Sequence, residues 1–154
     1  MRLTEIISAE CIKIPLASTD KRSAIAEMVE LVAASGKLRD RDLMLQATLD
    51  REATRTTGIG NGLAIPHGKC AAVTELIMAF GKPARPMEFE SIDGKPVTIV
   101  IFLASPPDKT GPHIQALARI SRLMTDARFR NSLEAATTPQ QVLDIFAQAE
   151  VGEK

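Results

Sequence analysis

The run from Pro96 to Ala104, which reads PVTIVIFLA, constrains the fold of this chain more than any other segment. Its residues are almost all apolar and rich in β-branched side chains, which is typical of a strand buried on both faces. Such a strand needs a covering layer on each side. We therefore expect a central strand in a sheet that is flanked by helices on both faces.

Apolar residues at helical spacing predict four helices. The first follows the capping candidates Ser18, Thr19 and Asp20 and ends at Gly36, and the second starts at Asp40. In the second helix Leu43 and Ala47 share one face, and Arg51 falls near its end. The other two predicted helices begin at His113 and, after the capping box that Thr138 opens, at Pro139.

Three shorter apolar runs read as further strands. Residues 11–14 alternate and stop at Pro15, residues 63–65 form a short apolar piece, and residues 75–80 end before Gly81 and Pro83. The region from Gly81 to Pro96 is too short for a helical crossover and reads as an excursion or hairpin, so the sheet is expected to be mixed rather than parallel. We predict a single α/β domain over residues 1–154, with a mixed β-sheet between two helical layers.

Charge and composition exclude several classes of function. Nineteen basic residues balance 19 acidic ones, and neither Trp nor Tyr is present, so the chain has no basic field and few rings for binding nucleic acid. No run of about 18 apolar residues and no signal-peptide pattern appears, which predicts no direct membrane insertion. We expect a cytoplasmic protein without a nucleic-acid partner.

The stretch from Thr54 to Lys69, TRTTGIGNGLAIPHGK, carries the strongest functional signal. Its closely spaced glycines allow positive φ or a close approach of the backbone. Pro66 holds the end of the stretch extended just before His67. We expect the imidazole of His67 to be presented to the surroundings, where it can act as a nucleophile, a base or a metal ligand.

Several chemistries fit this stretch poorly. The glycines read G-x-G-x-G, and Leu63 stands where a dinucleotide fingerprint has its last glycine, while the Gly-Lys-Ser/Thr of a P-loop is absent. A structural metal site normally needs four ligands, and only Cys70 and His113 are candidates to join His67. A hydrolase that uses His67 as a base needs an orienting carboxylate, and no motif singles one out.

Phosphoryl transfer through a covalent histidine intermediate fits better. The imidazole of His67 would accept the group, Arg51 would clamp its oxygens, and His113 would donate a hydrogen bond. Backbone amides of the glycine loop would complete the cradle, at Gly58, Gly60, Asn61 and Gly62. The competing interpretation is a protein-binding module in which the surroundings of His67 form only a docking surface.

Three blocks carry a resemblance to a known family: residues 49–52 (LDRE), residues 57–68 (TGIGNGLAIPHG) and residues 111–118 (GPHIQALA). The chain resembles the enzyme IIA component of the fructose, mannitol and nitrogen-regulatory (type 2) branch of the bacterial phosphotransferase system. The resemblance implies that His67 takes a phosphoryl group from the phosphocarrier HPr or its nitrogen-branch relative, with support from Arg51 and His113. It implies no cofactor beyond that covalent group, no metal, and a mixed sheet flanked by helices.

Two branches of this family have different partners. Sugar-uptake members pass the group to a cysteine of a IIB domain, and nitrogen-regulatory members bind target proteins according to their phosphorylation state. The TGIGNG wording and the single-domain length resemble the regulatory branch, whereas His113-Ile-Gln looks closer to the sugar branch. We expect a nitrogen-type regulatory phosphocarrier, with fructose- or mannitol-type uptake as the alternative.

Overall fold

A computed structural model describes residues 1–151, in which one strand and two α-helices are followed by five strands and then by three α-helices. Within these residues five helices form: α1 (Lys21–Ala34), α2 (Arg41–Thr54), α3 (Thr110–Leu123), α4 (Ala127–Ala135) and α5 (Pro139–Val151). The strands are β1 (Ile12–Leu16), β2 (Gly58–Gly60), β3 (Leu63–Ala64), β4 (His67–Lys69), β5 (Ile77–Pro83) and β6 (Ile99–Ser105). None of the described helices is long and apolar enough to cross a bilayer.

β6 is the central strand of the sheet, as the apolar run predicts. The strand order is β1-β5-β6-β3-β2, and β4 pairs with β6 beyond the end of β3. β6 is antiparallel to β5 and parallel to both β3 and β4. Because β1 is parallel to β5 and β2 is antiparallel to β3, the sheet is mixed, which confirms the predicted fold class.

Alternate side chains of β6 enter two separate cores. Val100, Phe102 and Ala104 pack on the side of α1 and α2, whereas Ile99, Ile101 and Leu103 pack on the side of α3, α4 and α5. All six side chains are fully buried. This period of two follows from the pleat of the strand, and it places helices on both faces of the sheet.

Capping residues set the ends of the first two helices. The carboxylate of Asp20 accepts a hydrogen bond from the amide of Ser23 at 2.9 Å, and Gly36 ends the turn after α1 with a φ of +82°. Asp40 caps α2 in the same way. The face of α2 that carries Leu43 is not its buried face, because Leu43 is 44% exposed and Met44 lies buried against the sheet.

Two strand boundaries differ from the sequence prediction. β1 continues through Pro15 to Leu16, which an edge strand tolerates because it is paired on one side only. β5 continues through Gly81, where a Cβ atom would lie 2.7 Å from Leu16 and 2.8 Å from the sulfur of Met28. This glycine therefore permits close packing inside a strand instead of ending it.

The excursion between β5 and β6 folds back on the glycine-rich hairpin. Met87 and Val97 exchange backbone hydrogen bonds of 2.9 and 2.7 Å across its base. The amide of Ile92 then donates to the carbonyl of Gly58 at 2.8 Å. The excursion belongs to the same fold, as the sequence predicts, and it brings Ile92 towards the cavity of His67.

Both ends of the described chain meet at one carboxylate. Glu150 is 2% exposed and accepts hydrogen bonds from the amides of Leu3 at 2.6 Å and Thr4 at 3.1 Å. Arg119 of α3 approaches the same carboxylate at 3.7 Å. The last turn of α5 and the first residues of the chain are thereby held side by side.

Candidate functional site

His67 is the first residue of β4 and lies opposite Leu103 of β6. Its Nδ1 atom lies 2.9 Å from the carbonyl oxygen of Ile65. A carbonyl oxygen can only accept a hydrogen bond, so Nδ1 carries the proton in this contact and Nε2 keeps the lone pair. The backbone just before the histidine therefore selects the tautomer in which Nε2 is the nucleophilic atom.

Gly68 explains why the histidine faces its cavity. A Cβ atom at this position would lie 2.5 Å from Oγ1 of Thr48 and 2.8 Å from the sulfur of Met44, so only glycine lets α2 pack this closely on β4. Successive residues of a strand point to opposite faces. His67 and Lys69 therefore project away from this α2 contact, and the ammonium of Lys69 donates to Oγ1 of Thr110 at the start of α3, at 3.0 Å.

His113 lies in the first turn of α3 against the ring of His67. The ring centroids are 5.1 Å apart, with an angle of 61° between the planes. His113 is 5% exposed, and within residues 1–151 its Nδ1 atom has no hydrogen-bond partner. Burial, the neighbouring His67 and the charge of Lys69 lower the pKa of His113 to about 4, so its imidazole is neutral near pH 7.

The start of α3 is one point where the sequence prediction is wrong. The helix begins at Thr110 rather than at His113, because Thr110, Gly111 and Pro112 occupy its first turn. Proline is tolerated there, since the first amides of a helix lack partners within the helix. The earlier start carries His113 to the position where its ring meets that of His67.

Arg51 reaches the same cavity from the last turn of α2. Its Nη1 atom donates to the carbonyl oxygen of Arg55 at 2.9 Å, which restrains the guanidinium. The cavity has a volume of about 260 Å³ and is lined by both polar and apolar side chains. Arg51, Arg55 and His67 supply its charged and nucleophilic groups, and its apolar wall is formed by Ile59, Ile65, Ile92 and Leu117.

The environment keeps His67 neutral. Its pKa is lowered from the ordinary value of 6.5, first by burial and then by the positive charges of Arg51 and Lys69. The hydrogen bond to Ile65 and the negative charge of Glu52 oppose this shift without reversing it. Near pH 7 the site therefore offers a neutral imidazole with a bare Nε2 beside two cations, which suits nucleophilic attack on an anionic electrophile.

Gly60, Asn61 and Gly62 form the turn between β2 and β3, and Ile59 of the same hairpin lines the cavity of His67. Gly60 and Gly62 adopt φ values of +105° and +76°, and the carbonyl of Gly62 accepts from the amide of Ile99 at the beginning of β6. His67 pairs with Leu103, four residues farther along the same strand, which corresponds to about 13 Å. Gly58 is likewise a packing position, because a Cβ atom there would lie 2.5 Å from Oγ of Ser91. The positive φ of Asn61, 57°, belongs to the same tight turn.

Two residues near the site are missing from the sequence-based set. Lys69 follows His67 by two positions, so the period of two in a strand was enough to place both side chains on one face. Glu52 neighbours Arg51 in sequence, but its burial at 7% exposure depends on packing that no sequence pattern reveals. Among residues 1–151, no group of three or more His, Cys, Asp or Glu side chains is arranged to hold a metal ion.

Comparisons with known proteins point to one family. The family model described as "Phosphoenolpyruvate-dependent sugar phosphotransferase system, EIIA 2" matches residues 5–149. The chain is 36% identical over 148 residues to the fructose-specific EIIABC component of Bacillus subtilis, covering 96% of this chain and 23% of that relative, so it spans about a quarter of that relative's length. It is 33% identical over 147 residues to a nitrogen regulatory protein of Bradyrhizobium diazoefficiens, covering 96% of this chain and 95% of the relative. The crystal structure of nitrogen regulatory protein IIA-Ntr from Neisseria meningitidis superposes with a TM-score of 0.83 at 27% identity, covering 94% of this chain and 98% of that one.

Proposed function

This chain belongs to the EIIA 2 family of the phosphoenolpyruvate-dependent sugar phosphotransferase system, and we propose that it carries a phosphoryl group on Nε2 of His67. We propose an HPr-like phosphocarrier as the donor. The observation that carries this proposal is the 2.9 Å contact between Nδ1 of His67 and the carbonyl of Ile65, which leaves Nε2 bare at a cavity with Arg51 in its wall.

The transfer step needs no cofactor. Nε2 of His67 attacks the phosphorus of the donor, a nitrogen–phosphorus bond forms, and the bond between phosphorus and the donor atom breaks with its electron pair leaving on the donor. The proton on Nδ1 stays in its hydrogen bond to Ile65 throughout. No proton has to be removed before attack, because the neutral imidazole already presents a lone pair.

Charge on the phosphoryl oxygens is met by side chains of this chain. Arg51 can offer two parallel N–H donors to two oxygens, and its contact with Arg55 orients the guanidinium in advance. His113, neutral and next to His67, supplies a hydrogen-bond donor. Lys69 contributes a third positive or donating group near both rings. Such fixed donors contribute most when charge develops in a partly dry site.

Labelling with phosphoenolpyruvate, enzyme I and HPr tests the proposal. We expect an acid-labile, base-stable phosphoprotein with the label on His67. A folded His67→Ala variant should take no label, and one that still became labelled would refute the assignment. His113→Ala is the matched control, because it removes an imidazole from the same site without removing the nucleophile.

For the output of the carrier we propose nitrogen-type regulation. The 33% identity to a nitrogen regulatory protein over nearly its whole length supports this role, whereas the 36% identity to a fructose-specific component supports onward transfer to a IIB cysteine. Adding a purified IIB domain to the phosphorylated protein distinguishes regulation from onward transfer. Rapid loss of label from His67 to the cysteine would favour sugar uptake over regulation.

A docking module that works without phosphorylation is the competing class of function. It predicts that partners bind equally well to the phosphorylated and the unphosphorylated chain. A pull-down with both forms distinguishes it from a phosphocarrier, for which partner binding should differ between the two forms.

A further inference from the structure

A buried carboxylate lies at the start of a hydrogen-bonded chain that ends at the nucleophile. Glu52 is 7% exposed and follows Arg51 in α2. Its Oε2 atom accepts from the amide of Thr57 at 2.7 Å, and its Oε1 atom accepts from the hydroxyl of the same residue at 2.6 Å. Hydrogen bonds to a charged acceptor are roughly twice as strong as neutral ones, so Thr57 is firmly held.

Lys21 completes the surroundings of this carboxylate. Its ammonium lies 2.9 Å from Oε2 of Glu52, and it also lies 5.1 Å from the centre of the Phe89 ring. A buried carboxylate without partners is costly, and here three donors converge on its two oxygens. Glu52 is therefore fixed at both oxygens and cannot change rotamer without losing several contacts.

The chain continues from Thr57 to His67 through a single residue. The carbonyl of Thr57 accepts from the amide of Ile65 at 3.0 Å, and the carbonyl of Ile65 accepts from Nδ1 of His67 at 2.9 Å. Thr57 and Ile65 are each 3% exposed, so water does not compete for these bonds. The contacts run without a gap from the carboxylate to the imidazole.

β6 holds the neighbouring peptide independently. The amide of Leu103 donates to the carbonyl of Pro66 at 3.1 Å. This contact fixes the path of β4 but does not touch the carbonyl of Ile65. Ile65 itself is held through its amide, which donates to the carbonyl of Thr57.

We propose that Glu52 is a positioning residue for the phosphoryl acceptor. Through Thr57 and Ile65 it sets the carbonyl that holds the Nδ1 proton of His67, and so keeps Nε2 as the bare atom facing the cavity. The effect of Glu52 on phosphoryl transfer rests on the proposed function. Its effect on the tautomer and orientation of the His67 ring does not.

Imidazole nitrogen NMR of the unphosphorylated protein near pH 7.5 tests this directly. The wild type should show His67 protonated on Nδ1. In Glu52→Gln the carboxylate charge is lost, so the bonds from the Thr57 amide and from Lys21 weaken, and the hydroxyl of Thr57 must turn to accept from the new amide group. The population protonated on Nε2 should therefore rise. An unchanged tautomer population in a folded Glu52→Gln variant overturns the proposal, whatever happens to the Tm.

Glu90→Gln is the matched control. Glu90 also contacts Lys21, at 3.3 Å, but its side chain is 77% exposed. It should leave the tautomer of His67 as in the wild type, and a shift as large as that of Glu52→Gln overturns the proposal. If Glu52→Gln does not fold, Thr57→Val removes the hydroxyl bond to Glu52 alone and should raise the population protonated on Nε2. Thr57→Ser keeps the hydroxyl and should show the wild-type tautomer.

Transfer kinetics link the ring orientation to function. With saturating phosphorylated HPr we expect Glu52→Gln to accept the group on the order of tenfold more slowly, with little change in the donor KM, because misorientation of a reacting atom affects the chemical step. If the wild type accepts no phosphoryl group, the proposed function fails, and the NMR comparison still decides the positioning role.

Discussion

The ring of His113 meets the ring of His67 edge to face, with 5.1 Å between centroids. The ring of His67 lines a cavity, and the ring of His113 is almost entirely buried in the first turn of α3. Burial keeps the ring of His113 neutral, and any proton on His67 would disfavour one on His113 further. The pair can therefore act as a bare nucleophile next to a neutral donor.

We predict that His67 titrates below 6.5 in the free protein, because burial and the charges of Arg51 and Lys69 favour the neutral ring. A lowered pKa keeps the neutral form present to a lower pH than in an ordinary histidine. Phosphoryl acceptance should therefore begin to fall at a lower pH than an unperturbed histidine would give. An NMR titration of the free protein checks this, and a midpoint at or above the ordinary value would contradict it.

His113 should make the protein less stable in mild acid. Its folded pKa of about 4 lies below the unfolded value of about 6.5, so between these values only the unfolded chain gains the proton. The free energy of unfolding should therefore fall as the pH drops from about 6.5 to about 4, by at most about 3 kcal/mol from this group. Well above pH 6.5, where the histidine is unprotonated in both states, the group contributes no pH dependence.

The measurement is urea unfolding of the wild type and of His113→Asn at several pH values. Other groups titrate in both proteins, so the difference between the two curves isolates His113. Parallel curves would show that the buried ring does not titrate as expected.

Replacing His113 by Ala should slow phosphoryl transfer without abolishing it. One prepositioned donor contributes about 3 kcal/mol at a transition state, which corresponds to a rate about 100-fold lower. His113→Asn retains a donor group and should lose less. The rates are measured by quenched labelling, with circular dichroism to confirm folding, and complete loss of label in folded His113→Ala would contradict the assigned role.

Arg51→Lys should still become labelled, but it should accept the phosphoryl group more slowly than the wild type. Lysine keeps the positive charge that lowers the pKa of His67, but it lacks the planar pair of donors and the contact with Arg55. We expect a rate between those of the wild type and Arg51→Ala. Equal rates for Arg51→Lys and the wild type would mean that charge alone matters at this position.

Gly62→Ala tests whether the glycine turn contacts the phosphoryl group. Its φ of +76° and a Cβ position 2.7 Å from Oγ1 of Thr98 predict a loss of stability of about 1–3 kcal/mol. Because the turn lies away from His67, the folded variant should be labelled at close to the wild-type rate.

Gly94→Ala is the control for this substitution. Its φ is +73°, and a Cβ atom there meets nothing within 4 Å, so it reports the backbone strain alone. A large loss of transfer rate in folded Gly62→Ala, with none in Gly94→Ala, would show that the turn at Gly62 contributes to phosphoryl transfer, as an amide cradle would.

The sheet and its covering layers could be predicted because strong local patterns coincide with tertiary burial. The run that became β6 is apolar over its whole length, and Asp20 and Gly36 mark the ends of α1 with local capping chemistry. Helix α4 was not predicted, because Phe129 and Leu133 are its only buried residues and the rest of its sequence is polar or alanine. Its position depends on packing against α5, which is not visible in a local pattern.

Only those site residues that lie within a recognisable sequence motif could be predicted. His67, Arg51 and His113 come from three separate blocks, and the structure places His67 next to His113 and on a common cavity with Arg51. Gly60 and Gly62 share a block with His67, but their turn lies at the start of β6, whereas His67 pairs with Leu103 farther along that strand. Glu52 could not be assigned a role, because that role depends on contacts with Thr57 and Lys21.

The hydrogen bonds that Glu150 accepts from Leu3 and Thr4 have a consequence for any domain fused to this one. Since residues 3 and 4 are bonded to the side chain of residue 150, a tether attached at either end leaves from the same place on the surface. The effective concentration of a tethered partner at His67 then depends on linker length and stiffness rather than on domain order. A receiver domain could therefore be joined before or after this one through a linker of similar length.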